Sequence, residues 1–276
     1  MKFSQIFSDM QEQLEAVGEE RESLSFVYRS LHGLSLTDFV FKMQEEVSDK
    51  EQAEIELIFK KLLAHQPAQY IIGTADFYSH TFQVDERVLI PRQETEELVS
   101  LILAENNDST CSVLDIGTGS GAIAISLAYA RTSWDLTASD ISKEALEVAM
   151  ENARLLQTDV TFIHSDCFDN ILGKYDIIVS NPPYISEQDK KEVAINVLSS
   201  EPHLALFAAD DGTAIYQKIA TKAGNYLSKK GKIYLEIGYK QGRIVQKIFS
   251  TVFPEKRIRV LQDQFGKDRM VVVDNG

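Results

Sequence analysis

Positive charge, cysteine, proline and long apolar runs are all scarce in this chain of 276 residues, and each scarcity closes off a class of protein. Lys and Arg number 28 against 42 Asp and Glu, a formal net charge of −14. Cationic side chains that release counterions drive binding along a nucleic-acid backbone, so the acidity argues against a broad phosphate-gripping surface. It suits a basic protein partner, although acidity alone is ordinarily a matter of solubility. Two cysteines, Cys111 and Cys167, are too few for a disulfide framework or a Cys-rich metal site. None of the five histidines forms a spaced ligand pair, and no metal is expected. No apolar run approaches the length that spans a bilayer, and Met1-Lys2-Phe3-Ser4-Gln5 lacks the apolar core of a signal peptide. The expectation is a cytoplasmic protein without membrane contact. No internal repeat or low-complexity segment is visible.

What is present is periodic. Phe3, Ile6, Phe7, Met10 and Leu14 keep helical spacing as far as Gly18. Leu24, Val27, Tyr28 and Leu31 repeat it before Gly33, and Leu36, Phe39, Val40, Met43 and Val47 make a third stripe. Ser48 with Glu51 is a capping box opening a fourth helix along Ile55, Ile58, Phe59, Leu62 and Leu63. Residues 1–75 therefore read as a small all-α bundle of about four helices whose stripes are core. It carries no catalytic constellation and is suited to packing or recognition. Gln66-Pro67-Ala68-Gln69-Tyr70 breaks the helical pattern. Alternation from Phe77 to Ile90, on either side of Asp85-Glu86, predicts a β-hairpin linker over 76–90. Pro91 then leads into a helix carrying Leu98, Val99, Ile102 and Leu103. Proline and acids at such a helix start are ordinary terminus chemistry.

From Cys111 onward strands and helices alternate. Strands are expected at Val113–Asp115, Leu136–Ser139, Val160–His164, Tyr175–Ser180, Lys232–Ile237, Arg257–Leu261 and Met270–Val273. Helical patterns fill the gaps, notably Lys143 to Gln157 and Ala214 to Leu227. The fold class is α/β: a doubly wound, mostly parallel sheet over residues 91–276, with ligands at the carboxyl ends of the strands. The last two strands are too close in sequence for a helical crossover, so that pair should be antiparallel.

Two loops of this sheet carry chemistry. The first is Asp115-Ile116-Gly117-Thr118-Gly119-Ser120-Gly121-Ala122, a strand running through a glycine-rich turn into a helix. Such a loop binds a dinucleotide or S-adenosylmethionine, since Gly117, Gly119 and Ala122 also satisfy the dinucleotide fingerprint. Asp140, ending the next strand, would hold ribose hydroxyls in either case. Asp115, placed to meet an ammonium directly or through water, and the looser Gly-x-Gly-x-Gly spacing favour S-adenosylmethionine. Asp166, ending the third strand, marks the adenine edge or caps the next turn.

The second loop is Ser180-Asn181-Pro182-Pro183-Tyr184, and it holds two of the six prolines. Each proline lacks an N–H and fixes φ, and Pro183 also keeps Pro182 extended. The loop is stiff, and the Pro182 carbonyl is not drawn into a helical turn. Alone, it reads equally well as a turn that ends a strand. Beside a methyl-donor loop, the Asn181 side-chain carbonyl and the Pro182 carbonyl become two acceptors for the hydrogens of one –NH2 group. On a planar conjugated substrate such a nitrogen is a poor nucleophile. Holding both N–H bonds aims its lone pair and stabilises charge developing on nitrogen. Tyr184 is expected to supply an aromatic wall.

With Gln66 to Gly73, Ile90 to Glu96, the glycine loop, Ser180 to Tyr184, Glu201-Pro202, Asp211-Gly212, Glu236-Ile237-Gly238 and Gln241-Gly242, the chain resembles the glutamine N5-methyltransferases of peptide-chain release factors. Asn-Pro-Pro-Tyr is shared with adenine and cytosine amino-methyltransferases. The Pro91-Arg92-Gln93-Glu94-Thr95-Glu96 segment and the helical domain narrow the match. The resemblance implies a Rossmann-like, seven-stranded methyltransferase domain with S-adenosylmethionine as donor and S-adenosylhomocysteine as product. It implies the glutamine of a release factor's Gly-Gly-Gln loop as acceptor, with the helical domain helping to dock the factor. Asn181 and Pro182 would then be catalytic, with Pro183 and Tyr184 completing the substrate contacts. Cofactor contacts would come from Asp115, Gly117, Thr118, Gly119, Ser120, Gly121, Asp140, Asp166, Cys167 and Asn181. Arg92, Glu94 and Thr95 are further candidates. Departures are Gln93 for a usual proline, Phe207-Ala208-Ala209 where glycines are usual, and Cys167 where tryptophan is frequent. A monomer without direct nucleic-acid contact is expected. The competing readings are a DNA or RNA adenine methyltransferase, disfavoured by the charge and the lack of a basic, aromatic-interleaved insertion, and a non-catalytic S-adenosylmethionine-binding module.

Overall fold

The computed structural model describes residues 1–107 and 110–276. The chain divides into two compact units, one of Met1–Thr74 with Val193–Glu201 and one of Ala75–Glu192 with Pro202–Gly276.

The first unit begins with α1 (Phe3–Ala16), α2 (Ser23–His32), α3 (Leu36–Lys42), α4 (Asp49–Leu63) and α5 (Ala68–Ile72). Phe3, Phe7, Leu24, Tyr28, Ile55 and Leu62 form its core, as their helical spacing predicts. The Ser48–Glu51 capping box is present: the Ser48 N–H donates to Glu51 Oε2 at 3.0 Å, and the Glu51 N–H to Ser48 Oγ at 3.4 Å. Two details differ from the sequence reading. The third stripe stops being helical at Lys42, because the carbonyls of Met43 and Glu45 accept from the N–H groups of Ser4 and Phe3 instead. The segment expected to break the helical pattern contains the fifth helix. Pro67 ends the preceding run, yet its fixed φ suits a helix start, and α5 closes on Gly73 at φ 84.

The β-hairpin also lies earlier than expected, with β1 (Thr74–Phe77) and β2 (His80–Gln83) joined through Tyr78 and Ser79 rather than Asp85-Glu86. Tyr78 and Ser79 have φ 49 and 64, the two positive values of a two-residue hairpin turn. The pairing ends by Gln83. Just beyond, the Asp85 carboxylate accepts from the Arg87 backbone N–H at 3.1 Å and from its guanidinium at 2.9 and 2.6 Å, which closes a turn.

There follow α6 (Gln93–Glu105), β3 (Ser112–Ile116), α7 (Ala122–Ala130), β4 (Asp135–Asp140), α8 (Lys143–Leu155), β5 (Thr161–His164) and β6 (Tyr175–Ser180). After β6 come the short helices α9 (Ile195–Ser200) and α10 (His203–Leu206), of which α9 belongs to the first unit, and α11 (Ala209–Gly212), a single turn in which Asp210 and Asp211 take the left-handed φ values 54 and 53. Then follow α12 (Ala214–Ala223), β7 (Leu227–Glu236), α13 (Gly242–Val252), β8 (Arg257–Gln262) and β9 (Asp268–Asp274). The seven-stranded sheet runs β5-β4-β3-β6-β7-β9-β8, parallel throughout except that β9 is antiparallel to both neighbours. Alternating residues feed opposite faces. Val113 and Ile177 enter one core with α6 and α7, whereas Leu114 and Ile178 enter the other with α12 and α13. Chain direction across the sheet reverses between β3 and β6, the switch point where open α/β sheets hold ligands. Both loops singled out above leave the sheet there.

Candidate active site

The glycine loop after β3 is shaped by its own glycines and held by the next strand and helix in sequence. Gly117, Gly119 and Gly121 have φ 73, 57 and 84. The N–H groups of Gly117 and Thr118 donate to the Ser139 carbonyl at 2.8 and 3.0 Å, and the Gly119 N–H donates to Asp140 Oδ2 at 2.9 Å. Gly121 opens α7, and a Cβ there would lie 2.6 Å from Ile125 Cδ1 and 3.2 Å from Ala149 Cβ. Asn152 of α8 ties the loop to the hairpin, donating to the carbonyls of Ser120 at 2.9 Å and Gln83 at 3.0 Å.

Asp140 ends β4 as predicted. Burial pushes its carboxyl up, while the N–H groups of Ser142, Gly119 and Ile141 pull it down. Asp115 is wholly buried, and burial pushes its carboxyl up to about 7 against the Thr118 hydroxyl, which donates at 2.7 Å, and the Ala124 N–H. Its second oxygen, Oδ1, is buried without a hydrogen-bond partner. Asp166 pairs with Lys218 at 2.6 Å. Cys167 is buried at φ 51, its thiol pushed up to about 11 chiefly by burial.

The Asn181 loop is built from afar. Asn181 Nδ2 donates to Thr95 Oγ1 at 3.2 Å, and Thr95 Oγ1 donates to Glu236 Oε2 at 2.6 Å. Thr95 and Glu236 are both buried, and burial pushes the Glu236 carboxyl up to about 7. The Ser180 hydroxyl donates to the Ile116 carbonyl at 2.6 Å, joining the two loops at their roots. Gln241 closes the far side: its Nε2 donates to the carbonyls of Tyr184 at 2.9 Å and Gly212 at 3.3 Å, and its Oε1 accepts from the Gly238 N–H at 3.1 Å. Gly212, at φ 78, leaves no room for a side chain, since a Cβ would stand 2.1 Å from the Tyr184 carbonyl oxygen. Phe207-Ala208 continues the brace, with Ile185 N–H donating to the Leu206 carbonyl and Ala208 N–H to the Ile185 carbonyl.

The two loops open on one cavity of about 670 Å³, within the ordinary range for a small-molecule site. Gly117, Thr118, Gly119, Ser120, Asp140, Asp166, Cys167, Asn181, Pro182, Pro183, Arg92 and Thr95 line it. Asp115, Gly121, Glu94 and Tyr184 do not. Asp115 lies beneath the loop, so direct contact with a ligand in the cavity is replaced by support of Thr118. Tyr184 does not form the expected aromatic wall. Its ring packs against the core shared with α12 and α13, 3.2 Å from where a Gly238 Cβ would stand, and burial pushes its phenol up to about 12. Gln93, the departure from proline, is the exposed first residue of α6 and does not line the cavity.

Sequence reasoning assigned no site role to His203, Leu204 and Ala205 of α10, which line the cavity, or to Glu236 and Gln241, which hold the Asn181 loop. The motifs Glu201-Pro202, Glu236-Ile237-Gly238 and Gln241-Gly242 contained the signal, but a motif alone does not say which distant residue it meets.

The chain matches two family models, "PrmC N-terminal domain" over residues 5–73 and "Methyltransferase small domain" over 94–207. It is 61% identical to the release factor glutamine methyltransferase of Streptococcus pneumoniae, over 100% of this chain and 99% of that one. It is 53% identical to the corresponding Lactococcus lactis protein, over 92% and 94%. Among solved structures, a methyltransferase from Pyrococcus furiosus superposes with a TM-score of 0.54 at 16% identity, covering 82% of this chain and 98% of that one, a likeness of fold.

Proposed function

This chain belongs to the release factor glutamine methyltransferases, and from that membership we propose how its residues transfer a methyl group from S-adenosylmethionine to the side-chain amide nitrogen of the glutamine in a release factor's Gly-Gly-Gln motif. The observation that carries the reading is the single cavity shared by the glycine loop and the Asn181-Pro182 loop.

The residues fit the cofactor. The glycine loop gives close backbone approach, Asp140 offers a carboxylate at the cavity wall, and the unpartnered Asp115 Oδ1 suits an ammonium held through water at the loop. S-adenosylmethionine, when bound, supplies an electrophilic methyl on a sulfonium. Asn181 Oδ1 and the Pro182 carbonyl accept the two N–H bonds of the glutamine amide. That fixes the direction of the nitrogen lone pair and stabilises positive charge as it develops, a gain larger in the transition state than in the ground state. Arg92, Thr95 and Pro183 complete the wall on this side.

The helical unit docks the release factor. On α3 no residue is buried, and Leu36, Val40 and Phe41 are 68%, 62% and 69% exposed, so they are the side chains to change. The enzyme works as a monomer and without direct nucleic-acid contact, the second in keeping with a net charge of −14. Its substrate places it in the cytoplasm, and no helix among the described residues is long and apolar enough to cross a membrane.

Incubation with methyl-labelled S-adenosylmethionine and purified release factor, followed by mass mapping, should place one methyl on the Gly-Gly-Gln glutamine. Label on nucleic acid instead of the factor would favour an adenine methyltransferase. Replacing Leu36, Val40 and Phe41 together by serine should raise KM for the intact factor while leaving the kinetics with a short Gly-Gly-Gln peptide unchanged. An unchanged KM for the factor would remove this face from docking.

A further inference from the structure

We propose that Glu236, acting through Thr95, is the positioning residue that decides which end of the Asn181 amide faces the substrate. The inference deepens the reading above and rests on Asn181 as the group that accepts a substrate N–H.

A threonine hydroxyl has one proton to give. Thr95 Oγ1 lies 2.6 Å from Glu236 Oε2 and 3.2 Å from Asn181 Nδ2. An ionised carboxylate only accepts, so the Thr95 proton is committed to Glu236. Towards Asn181 the same oxygen then only accepts, and Asn181 must present its NH2 to it. Oδ1 is thereby turned the other way, as an acceptor. With a proton on Glu236 the order reverses. The carboxyl O–H donates to Thr95, the Thr95 proton becomes available to Asn181 Oδ1, and a flipped amide sets NH2 against the substrate's own NH2. Donor then faces donor, and the nitrogen lone pair is no longer aimed.

The arrangement is sealed from water at its carboxyl end. Glu236 is 2% exposed, and Tyr216 Oη donates to its backbone carbonyl at 2.9 Å. Burial holds the carboxyl near 7, opposed by the Thr95 hydroxyl and by the guanidinium groups of Arg269 and Arg92, whereas Glu94 acts with burial. The phenols of Tyr184 and Tyr216 also face it. A carboxyl poised there changes state across the neutral range, so the direction of the relay, and with it the rate, follows pH.

The test is single-turnover methyl transfer to release factor at saturating cofactor across about pH 5.5–8.5, for the parent, Thr95→Val, Thr95→Ser, Glu236→Gln and Asn181→Ala. Asp115, the other carboxyl held near 7, is unchanged in Glu236→Gln, so a limb that it caused would persist in that variant. The parental rate should rise through about pH 7 and level off. Thr95→Val should lower kcat roughly tenfold or more, with unchanged KM for the factor and unchanged cofactor affinity by calorimetric titration. Thr95→Ser should restore the rate. Glu236→Gln, near-isosteric but able to donate as well as accept, should be slow at high pH and lose the rising limb. Should Thr95→Val fail to fold, the limb in Glu236→Gln still decides. A parental rate and limb in Glu236→Gln, with Asn181→Ala inactive, overturn the relay alone. A parental rate in Asn181→Ala overturns the reading beneath it.

Discussion

The glycine loop and the Asn181 loop sit at the ends of neighbouring strands and line the same cavity, yet they are held by opposite means. The glycine loop is local: the Gly119 N–H reaches Asp140 Oδ2 across 21 residues of sequence, and three positive φ angles set the turn. The Asn181 loop is held by side chains from distant segments, with Thr95 86 residues away and Gln241 57 residues from Tyr184. The first loop draws on the strand and helix that follow it, through Ser139, Asp140 and Asn152; the second draws on α6, β7 and the turn before α13, far away in the chain. On the proposed reading, in which the first loop cradles the cofactor and the second aims the nucleophile, the two tasks are separable, and mutations can be chosen to part them.

The largest effect should come from Asn181→Ala. Removing one preorganised group from a transition state costs on the order of 10²-fold or more in rate. Single-turnover transfer at saturating cofactor should fall by that much with cofactor affinity unchanged, and an equal loss of affinity would show the two loops to be one device. Asp140→Ala should do the converse. Loss of charge-assisted hydrogen bonds costs roughly 1.5–3 kcal/mol, visible as weaker S-adenosylmethionine binding by calorimetry, with turnover recovering at high cofactor. Smaller, and the sharper trial of the comparison, is Gly212→Ala. Its Cβ has no room beside the Tyr184 carbonyl, and the residue must hold φ 78, so the Asn181 loop should shift. A loss of about 1–3 kcal/mol, seen as slower turnover with normal cofactor affinity, would extend the separation to a residue beyond both loops.

The smallest effect is a fraction of a proton. Burial lifts Asp115 to about 7 in the folded chain. An ammonium arriving near its Oδ1 lowers that value, so binding near pH 7 should release protons, measurable by calorimetry in buffers of different ionisation enthalpy. Release should fade well above pH 7, where the carboxyl is already ionised. No release at neutral pH would detach Asp115 from the ligand. The same burial gives a stability trend: with Asp115 and Glu236 both raised, the folded chain binds more protons than the unfolded one between about pH 4 and 7. Their contribution is present below that window and lost as pH rises through it.

How much was legible follows the same division. The seven strands of the large sheet lie close to the expected runs, although β7 begins at Leu227, five residues ahead of Lys232 and where a helix was expected to end. Tyr175–Ser180 is the plainest case, buried at five of six positions as a central parallel strand must be. The glycine loop was legible because its glycines stand together in the sequence, and Asp140 because it ends the very next strand. Tyr184 was misread as a wall because the pattern Asn-Pro-Pro-Tyr says nothing about Gly238, whose missing side chain makes room for the ring. Glu236 had no readable role, since its partner Thr95 lies 141 residues earlier. The hairpin was misplaced because alternation continues past Gln83, where an Asp85–Arg87 turn rather than a strand follows.

The excursion of Val193–Glu201 into the helical unit has a consequence for how the protein is made. The carbonyl of His65 accepts from the Ser200 hydroxyl at 3.1 Å across 135 residues of chain. A ribosome adds roughly 5–20 residues per second, so the helices at the start of the chain emerge on the order of ten seconds before the segment that completes them. The core residues Phe3, Phe7, Leu24, Tyr28, Ile55 and Leu62 all come from the first helices, so that core can close in the interval, and only the contacts of the later segment are missing. The helices are made well before the segment that adds the Ser200–His65 contact. A pause in translation before residue 193 would leave the His65 carbonyl without its Ser200 partner while the core of the bundle is already complete.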